Sequence, residues 1–549
     1  MVPDADNIPL INDDSREHKV TLKERLTSCR WHVGYVTCLT LACTMLLRIN
    51  MSMVVVCMNP PNMTSLVVVN GTNYTVVDDY MKYYVEWDST MEGLLISGNY
   101  IGQMITALVL GTMSGRYSSK YIIASMISVM AVSSVLTPAF VFVSDYIVLV
   151  LRIIVGMATS GLEPCATQLL SNWAPLNERA QMMVLVETAR SLGGMMNYIL
   201  AGLLCSIPLF GGWPFIFFVF SGLNLLVLIL WACLVYDAPS IHPRISTTEK
   251  NYIHLHKASV AQNKTLHIPW LQVISSKAVW GCVLGFLTYG FLFISLAICL
   301  PLYFEQVLEL DSTLNGFASA LPFLGRIVGA IIFGYIADWI FCKQWLSITN
   351  LRKVFQVTGL IGSAPFLIWI TYLGKDDAIL AVVLMVVYWF ILTAMNSGFR
   401  VNFADIAPRY AGLLNGICMC LNGFISIFVP IIVTAITPNG TKEEWRAVFY
   451  GCVGVSVVGA VVFVVLASGE EQEWAKDQTS DSNLAITDAG NKSIDFNPST
   501  TTDESAPLTF NRLKENTDGK YLTRYTRDGQ VFVQQLELLD DIWSLVAGN

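Results

Sequence analysis

The chain has 549 residues, of which 54% are hydrophobic and 13% are charged, and its formal net charge is −8. Because soluble domains carry about 25% charged residues, this composition excludes a soluble globular protein. It predicts an all-α membrane protein whose main partner is the lipid bilayer.

Apolar runs long enough to span a bilayer, which takes roughly 20 helical residues, recur along the chain. The polar N-terminal tail, residues 1–32, lacks the apolar core of a cleavable signal peptide, so we expect the first span to remain as an uncleaved anchor. Twelve spans are predicted, near residues 33–58, 92–113, 120–141, 146–172, 180–206, 213–236, 277–301, 314–338, 354–373, 378–399, 411–436 and 444–467.

Basic residues predict which loops face the cytosol, because Lys and Arg concentrate in cytosolic loops. They are dense in the N-terminal tail, in the central loop 238–276 and in the loop near 338–354, whereas the first outer loop holds only Lys82. Both termini are therefore expected in the cytosol. Sequons for N-glycosylation agree, because they fall in the first and last outer loops. They are Asn62, Asn70, Asn73 and Asn439.

Two arginines lie inside predicted spans, Arg48 in the first and Arg152 in the fourth. A guanidinium stays charged at physiological pH, and a charge inside a membrane is costly unless it faces water or a partner. Two cations at similar depth on two helices predict a site for a small anionic substrate. The alternative is that both arginines pair with groups inside the helix bundle.

The two halves of the chain repeat each other. Gly111-Thr-Met-Ser-Gly-Arg ends span two and Gly334-Tyr-Ile-Ala-Asp-Trp ends span eight, while Trp173-Ala-Pro and Ile406-Ala-Pro follow spans four and ten. A six-plus-six repeat with a basic central loop resembles the twelve-helix fold of major facilitator transporters, which bind substrate between the halves near the midplane. The predicted six-helix halves are residues 33–237 and 277–468.

Several motifs make this resemblance more specific, and they occur in order through residues 30–475. They are Arg48-Ile-Asn-Met-Ser, Arg152 with Gly156, Asn172-Trp-Ala-Pro, Glu178-Arg179, Gly212-Trp-Pro, Asp237-Ala-Pro, His242-Pro-Arg-Ile-Ser, Leu300-Pro with Tyr303, Arg352-Lys353, and Gly398-Phe-Arg-Val-Asn402 through Asp405 to Gly412. The chain resembles the anion-transporter family that contains sialin, the vesicular glutamate transporters and the type I sodium–phosphate cotransporters. This implies that Arg48 and Arg152 bind the substrate anion by charge-assisted hydrogen bonds, with Tyr289 and Asn402 lining the same cavity.

The departures from the family pattern concern coupling and substrate. Proton-coupled members carry a glutamate in span four where this chain has Thr159, whose hydroxyl cannot titrate near neutral pH. Glu163 lies one turn further along the same face, and it either replaces that carboxylate or serves as a structural partner. Tyr289 stands where the glutamate carriers have an arginine, which argues against glutamate as substrate. We expect a proton or sodium ion as the coupling ion, with weaker proton coupling than in sialin-like carriers.

Further charges inside the predicted spans do not map onto the family. Glu187 and Arg190 are three residues apart on span five, within pairing distance. They form either an internal ion pair at a gate or a contact to the substrate or coupling ion. Arg326 has no acidic neighbour on its own helix, so its partner is Glu163, Glu187 or the substrate. The residues interpreted as gating or structural charges are Arg190, Arg326, Arg116 and Asp338; Arg400 is a further cation near the inner end of span ten.

The sequence contains no catalytic or metal-binding motif, so we expect no enzyme, no metal site and no cofactor. The 13 cysteines lie mostly in or beside apolar spans. Because the outer loops offer no clear pair, no disulfide framework is predicted.

The two tails have separate roles. Asp6 lies four residues before Leu10-Ile11, which is the pattern of an acidic dileucine signal for a cytosolic sorting adaptor. Sialin-like proteins carry a comparable signal, so we expect a lysosomal, endosomal or other acidic vesicle membrane, with the plasma membrane as the alternative. The C-terminal tail, residues 469–549, is polar and acidic, and it is predicted to be largely disordered.

The sequence therefore predicts a monomeric secondary transporter of small organic or inorganic anions that works by alternating access, with sialin-like export from lysosomes as one role. It predicts no nucleic-acid partner. One alternative is a sodium-coupled phosphate symporter at the plasma membrane. The other is a non-transporting membrane receptor or sensor on the same fold.

Overall fold

The computed structural model describes residues 27–58, 66–69, 72–75, 87–113, 117–207, 209–255 and 269–475. Within these ranges lie twelve long helices: α1 Cys29–Met58, α2 Ser89–Met113, α3 Ser119–Phe140, α4 Asp145–Trp173, α5 Leu176–Cys205, α6 Trp213–Leu234, α7 Lys277–Gln306, α8 Ser312–Cys342, α9 Ile348–Ile370, α10 Lys375–Ile406, α11 Ala411–Ile436 and α12 Lys442–Leu466. Shorter elements are the helices Thr247–Leu255 and Trp270–Ser275 and an antiparallel pair of strands, β1 Leu66–Val69 and β2 Thr72–Thr75.

Ten of the twelve helices are long and apolar enough to cross a membrane. The other two, α2 and α5, pack against α11 and α8 of the opposite half, so they belong to the same bundle. The prediction of a twelve-helix all-α membrane fold is confirmed. The short strand pair follows α1 in the first long loop and does not join the bundle core.

Helix packing repeats with a period of six helices. In the first half α1 packs on α5 and α6, α2 on α4, and α3 on α6; in the second half α7 packs on α11 and α12, α8 on α10, and α9 on α12. The contacts between the halves have the same period. α2 packs on α11, and its counterpart α8 packs on α5, which is the counterpart of α11. The bundle therefore consists of two six-helix units related by a pseudo-two-fold axis.

Local sequence sets several helix starts. The Asp311 carboxylate accepts from the backbone N–H of Thr313 at 3.2 Å before α8, and the Ser347 hydroxyl accepts from Asn350 N at 3.3 Å before α9. Thr441 forms a capping box with Glu444 before α12. Each cap satisfies backbone donors that the first turn of a helix leaves unpaired.

The halves touch at one end of the bundle and separate at the other. We call the end where α1 begins and α12 finishes the basic end. At the opposite end Gly202 of α5 and Gly316 of α8 meet backbone to backbone, with no room for a Cβ on either. Gly334 lies about five turns from Gly316 on the same face of α8, yet apart from its chain neighbours and the backbone of its own helix no described atom lies within 4 Å of a Cβ placed there.

The second contact between the halves, α2 with α11, shows the same divergence. Near the opposite end the Ser97 hydroxyl donates to Ile427 O at 2.7 Å. Gly416 lies about three turns away on the same face of α11, and outside its chain neighbours and its own helix backbone no described atom lies within 4 Å of its Cβ position. The space between the halves therefore opens toward the basic end.

A disulfide joins Cys57 at the end of α1 to Cys205 at the end of α5, with Cα atoms 5.9 Å apart. The prediction of no disulfide framework is wrong for this pair. It considered cysteines in outer loops, whereas these two lie at helix ends that only the packing of α1 against α5 brings together.

Candidate functional site

Arg48 projects from α1 toward α2 and α4. The oxygen of an amide is distinguished from its nitrogen by its partners, and here the Gln103 oxygen accepts from Arg48 Nη2 at 3.0 Å and Nε at 3.1 Å. The same amide lies 3.0 Å from the Thr159 hydroxyl. No described carboxylate lies within 4 Å of Arg48, so a neutral group orients its guanidinium and no carboxylate contacts it directly.

Arg152 is 1% exposed, and it does not line the open space between the halves in this conformation. Its Nη2 donates to Asn50 Oδ1 at 2.8 Å, while Nε and Nη1 have no hydrogen-bond partner among the described residues. Arg48 and Arg152 therefore occupy neighbouring helices but bond to different groups.

A row of three charges crosses the first half next to Arg48. Arg190 of α5 lies between two carboxylates, with Nη1 2.9 Å from Glu163 Oε2 and 3.3 Å from Glu187 Oε1. The ion pair expected between Glu187 and Arg190 is present, and Glu163 joins it from α4. Arg48 is close enough to Glu163 and Arg190 for Coulomb interactions with both.

The second half contributes Arg400, whose Nη1 lies 3.7 Å from Glu187 Oε2. A break in α10 positions this side chain: regular helix ends at Leu392 and resumes at Phe399. Two side chains of α9 satisfy the freed backbone groups. Arg352 Nη1 donates to Ser397 O at 3.0 Å, and Gln356 Oε1 accepts from Phe399 N at 3.3 Å.

Arg326 of α8 stacks its guanidinium on the Phe293 ring, 5.1 Å from the ring centre. No carboxylate of the described residues lies within 4 Å of it, although it is close enough to Glu187 to attract that carboxylate. Phe293 also contacts Tyr289, with ring centres 6.1 Å apart. The second half therefore presents a cation on an aromatic surface.

These charged side chains belong to helices inside the bundle and yet are partly exposed, so we infer that they line the space between the two halves, here called the cavity. The exposed fraction of the side chain is 20% for Arg190, 30% for Arg400, and 37% for both Glu163 and Glu187. Arg48 and Arg326 are also half-buried. Asn402, in contrast, is fully buried and donates to Cys282 Sγ at 3.2 Å. The expectation that Asn402 lines the cavity is not met in this conformation, because its face of α10 packs against α7.

The other predicted residues lie away from this cavity. Asp338, at the basic end of α8, has a buried Oδ2 without a hydrogen-bond partner among the described residues, within Coulomb range of Arg352. Asn439 is exposed, and its Nδ2 donates to Glu444 Oε1 at 2.8 Å; Asn73 lies on β2. The predicted residues outside the described ranges are Arg116, Asn62, Asn70, Asp6, Leu10 and Ile11.

Sequence reasoning missed two residues of the site, Gln103 and Asn50. Both are amides inside membrane-spanning helices, and intramembrane polar residues commonly contact partners or substrate. That signal was available, but it did not indicate which arginine each amide would bind.

Comparisons with known proteins agree with this geometry. The family model described as Major Facilitator Superfamily matches residues 40–351. Sialin of Homo sapiens is 31% identical over 390 residues, which is 71% of this chain and 78% of sialin. The probable small intestine urate exporter of Mus musculus is 28% identical over 407 residues, which is 74% of this chain and 82% of that protein.

Solved structures show the same fold at low sequence identity. A bacterial homolog of the human lysosomal transporter Spinster, in an inward-facing and occupied conformation, has a TM-score of 0.58 and 13% identity. The match covers 80% of this chain and 96% of that chain.

Two six-helix halves around a charged cavity, together with these matches, define a membrane transporter and not an enzyme. The chain belongs to the major facilitator superfamily, and within it to the family of sialin, the urate exporters, the phosphate cotransporters and the vesicular glutamate transporters. The resemblance seen in the ordered sequence motifs is confirmed.

Proposed function

We propose that the chain carries a small anion across a membrane by alternating access, with the substrate bound in the cavity between its two halves. One observation carries this proposal: cations outnumber anions among the side chains that line the cavity. Four guanidinium groups face two carboxylates in the part of the chain that the structure describes. In a cavity of low dielectric such an excess attracts anions strongly.

Arg48 is the proposed anchor for the substrate in the first half. Its guanidinium is oriented by Gln103 and half-buried, so it can form charge-assisted hydrogen bonds without a competing carboxylate. Arg152 is proposed to contribute in a conformation that exposes it. The names of two relatives support an anionic substrate, since one is a urate exporter and another a putative phosphate cotransporter.

The proposed membrane is that of a lysosome, endosome or other acidic vesicle. Support comes from the sequence pattern Asp6 with Leu10-Ile11 and from the sialin relatives. For coupling we propose Glu163 and Glu187, with a proton or sodium ion as the driving ion. Both carboxylates are accessible from the cavity and both contact Arg190, so an ion that neutralised either one would change the charge around the substrate.

Flux into proteoliposomes that contain the purified full chain tests this function. Labelled urate, phosphate and carboxylates would be offered under separate proton, sodium and voltage gradients. We expect saturable uptake of at least one anion, lost in Arg48→Gln. Arg446→Gln is the matched control, because Arg446 lies at the outer part of α12 against the Tyr372 ring, far from the cavity. Absence of any saturable anion flux in the reconstituted wild-type chain would contradict the proposal and favour a sensor.

A further inference from the structure

The charges of the cavity do not balance. Among the residues that the structure describes, two carboxylates oppose four guanidinium groups, so two positive charges are in excess. The groups are Glu163, Glu187, Arg48, Arg190, Arg326 and Arg400. Arg152 is not counted, because it is 1% exposed and a ligand in the cavity cannot reach it in this conformation.

The two excess charges belong to different halves. Arg190 contacts both carboxylates, and Arg400 shares Glu187 at 3.7 Å. Arg48 in the first half bonds to the neutral amide of Gln103. Arg326 in the second half rests on the Phe293 ring. These last two cations therefore lack a carboxylate within 4 Å among the described residues.

Each of the two cations has a different part of the row of Glu163, Arg190 and Glu187 as its neighbour. Arg48 interacts electrostatically with the first two members of the row, whereas Arg326 interacts with Glu187 at the far end. Contacts of 2.9 and 3.3 Å hold the row together. We infer from these neighbours that the two cations flank the row, so that a ligand in contact with both must span it.

We propose that the transported substrate is an organic dianion with two separated acidic groups, such as a dicarboxylate. Arg48 binds one group, and Arg326, with help from Arg400, binds the other. This inference rests on the proposed function and narrows its substrate class. The half-buried Phe293 ring, which packs against the buried Tyr289, gives the carbon chain between the two acids an apolar surface.

Such a substrate would couple binding to the movement of the halves. A dianion that contacts Arg48 and Arg326 at once interacts with both halves, so it stabilises the conformation in which they approach each other. A monoanion contacts one half at a time and therefore favours that conformation less, because a ligand shifts an equilibrium only through differential affinity. The second acidic group therefore determines specificity as well as affinity.

Binding to the purified full chain in detergent tests the inference. The probes are succinate, glutarate and adipate, each compared with the monocarboxylate of equal chain length, namely butyrate, pentanoate and hexanoate. We expect at least one dicarboxylate to bind about tenfold more tightly than its monocarboxylate, the effect of one added charge-assisted hydrogen bond. Arg326→Gln should remove this preference and leave monocarboxylate affinity within about twofold. Arg446→Gln, which alters an arginine of the same half that also lies over an aromatic ring, should preserve it.

The outcomes separate the inference from the function on which it rests. Equal affinities for the two acid series in the wild-type chain, or a preference that survives Arg326→Gln, would overturn the dianion while leaving an anion transporter intact. Inorganic phosphate that binds more tightly than every dicarboxylate would also overturn it, in favour of a compact dianion. If Arg48→Gln bound and carried every anion as the wild-type chain does, the proposed function itself would fail.

Discussion

Glu187 of α5 and Arg400 of α10 form, among the residues that the structure describes, the one ion pair that joins the two halves, with Oε2 and Nη1 3.7 Å apart. Both residues lie on the side of the cavity toward the basic end, where the halves diverge. Closing this end would shorten the pair, so it is expected to stabilise the closed state more than the open one.

Removing this pair should favour the conformation that is open at the basic end. The probe is a cysteine introduced at Gly416, which should react faster with a membrane-impermeant maleimide in Glu187→Gln or Arg400→Gln. The reason is that the halves lose an attraction of about 1 kcal/mol or less, the value typical of a part-exposed ion pair. The double variant Glu187→Arg with Arg400→Glu should restore the wild-type rate in part. Unchanged labelling in both single variants would show that the pair does not influence gating.

Substitution of Arg48 and Arg152 tests the predicted anion contacts. Arg48→Ala and Arg152→Ala should each abolish flux in proteoliposomes while abundance in the membrane stays nearly normal. Arg48→Lys should retain only part of the flux, because an ammonium cannot reproduce the two-pronged contact that the guanidinium makes with Gln103. Near-normal flux in both alanine variants would exclude them from the site.

The N-terminal sorting pattern predicts a change of location. Leu10→Ala combined with Ile11→Ala should move the tagged protein from acidic organelles to the cell surface, because an adaptor would bind the exposed apolar pair. Val20→Ala with Leu22→Ala, an apolar pair in the same tail, is the control. If imaging finds both double variants where the wild type resides, the dileucine pattern is a chance match.

Thr159 and Glu163 predict how coupling depends on pH. Thr159→Glu introduces a titratable group beside Gln103 and Arg48, so flux should depend more steeply on an imposed pH gradient at clamped voltage. Thr159→Gln, similar in size but without a titratable group, should not show this gain. Glu163→Gln should remove whatever pH dependence the wild type has. Proton-driven accumulation that survives Glu163→Gln would mean that the proton path uses another group, such as Glu187.

The disulfide between Cys57 and Cys205 predicts a measurable loss of stability. Cys57→Ser or Cys205→Ser should lower the free energy of unfolding by about 2–4 kcal/mol, because the cross-link constrains the unfolded chain. Thermal unfolding in detergent measures the change, and Cys43→Ser, at a free and half-buried cysteine, is the control. If Cys57→Ser and Cys205→Ser melted at the same temperature as the control Cys43→Ser, the disulfide would contribute no stability.

The sequence predicted the positions of the membrane-spanning helices best, because these depend on local composition. Apolar runs defined the helices to within a few residues at most ends, although α10 continues to Ile406 beyond the predicted end at 399. The helix resumes at Phe399 after the break because α9 side chains satisfy the backbone of the broken stretch around Gly398. No local pattern could indicate support from another helix.

By itself the sequence determined the class of protein, because membrane spanning, charge inside the bilayer and the repeated halves are properties of composition and order along the chain. Only the tertiary structure decided which charges meet. Arg48 binds Gln103 and Arg152 binds Asn50, although both arginines looked alike in the sequence. A side chain's partner depends on how helices distant in sequence pack and on which faces they bury. For the same reason, only packing distinguished Arg152, buried in this conformation, from Arg326, which faces the cavity.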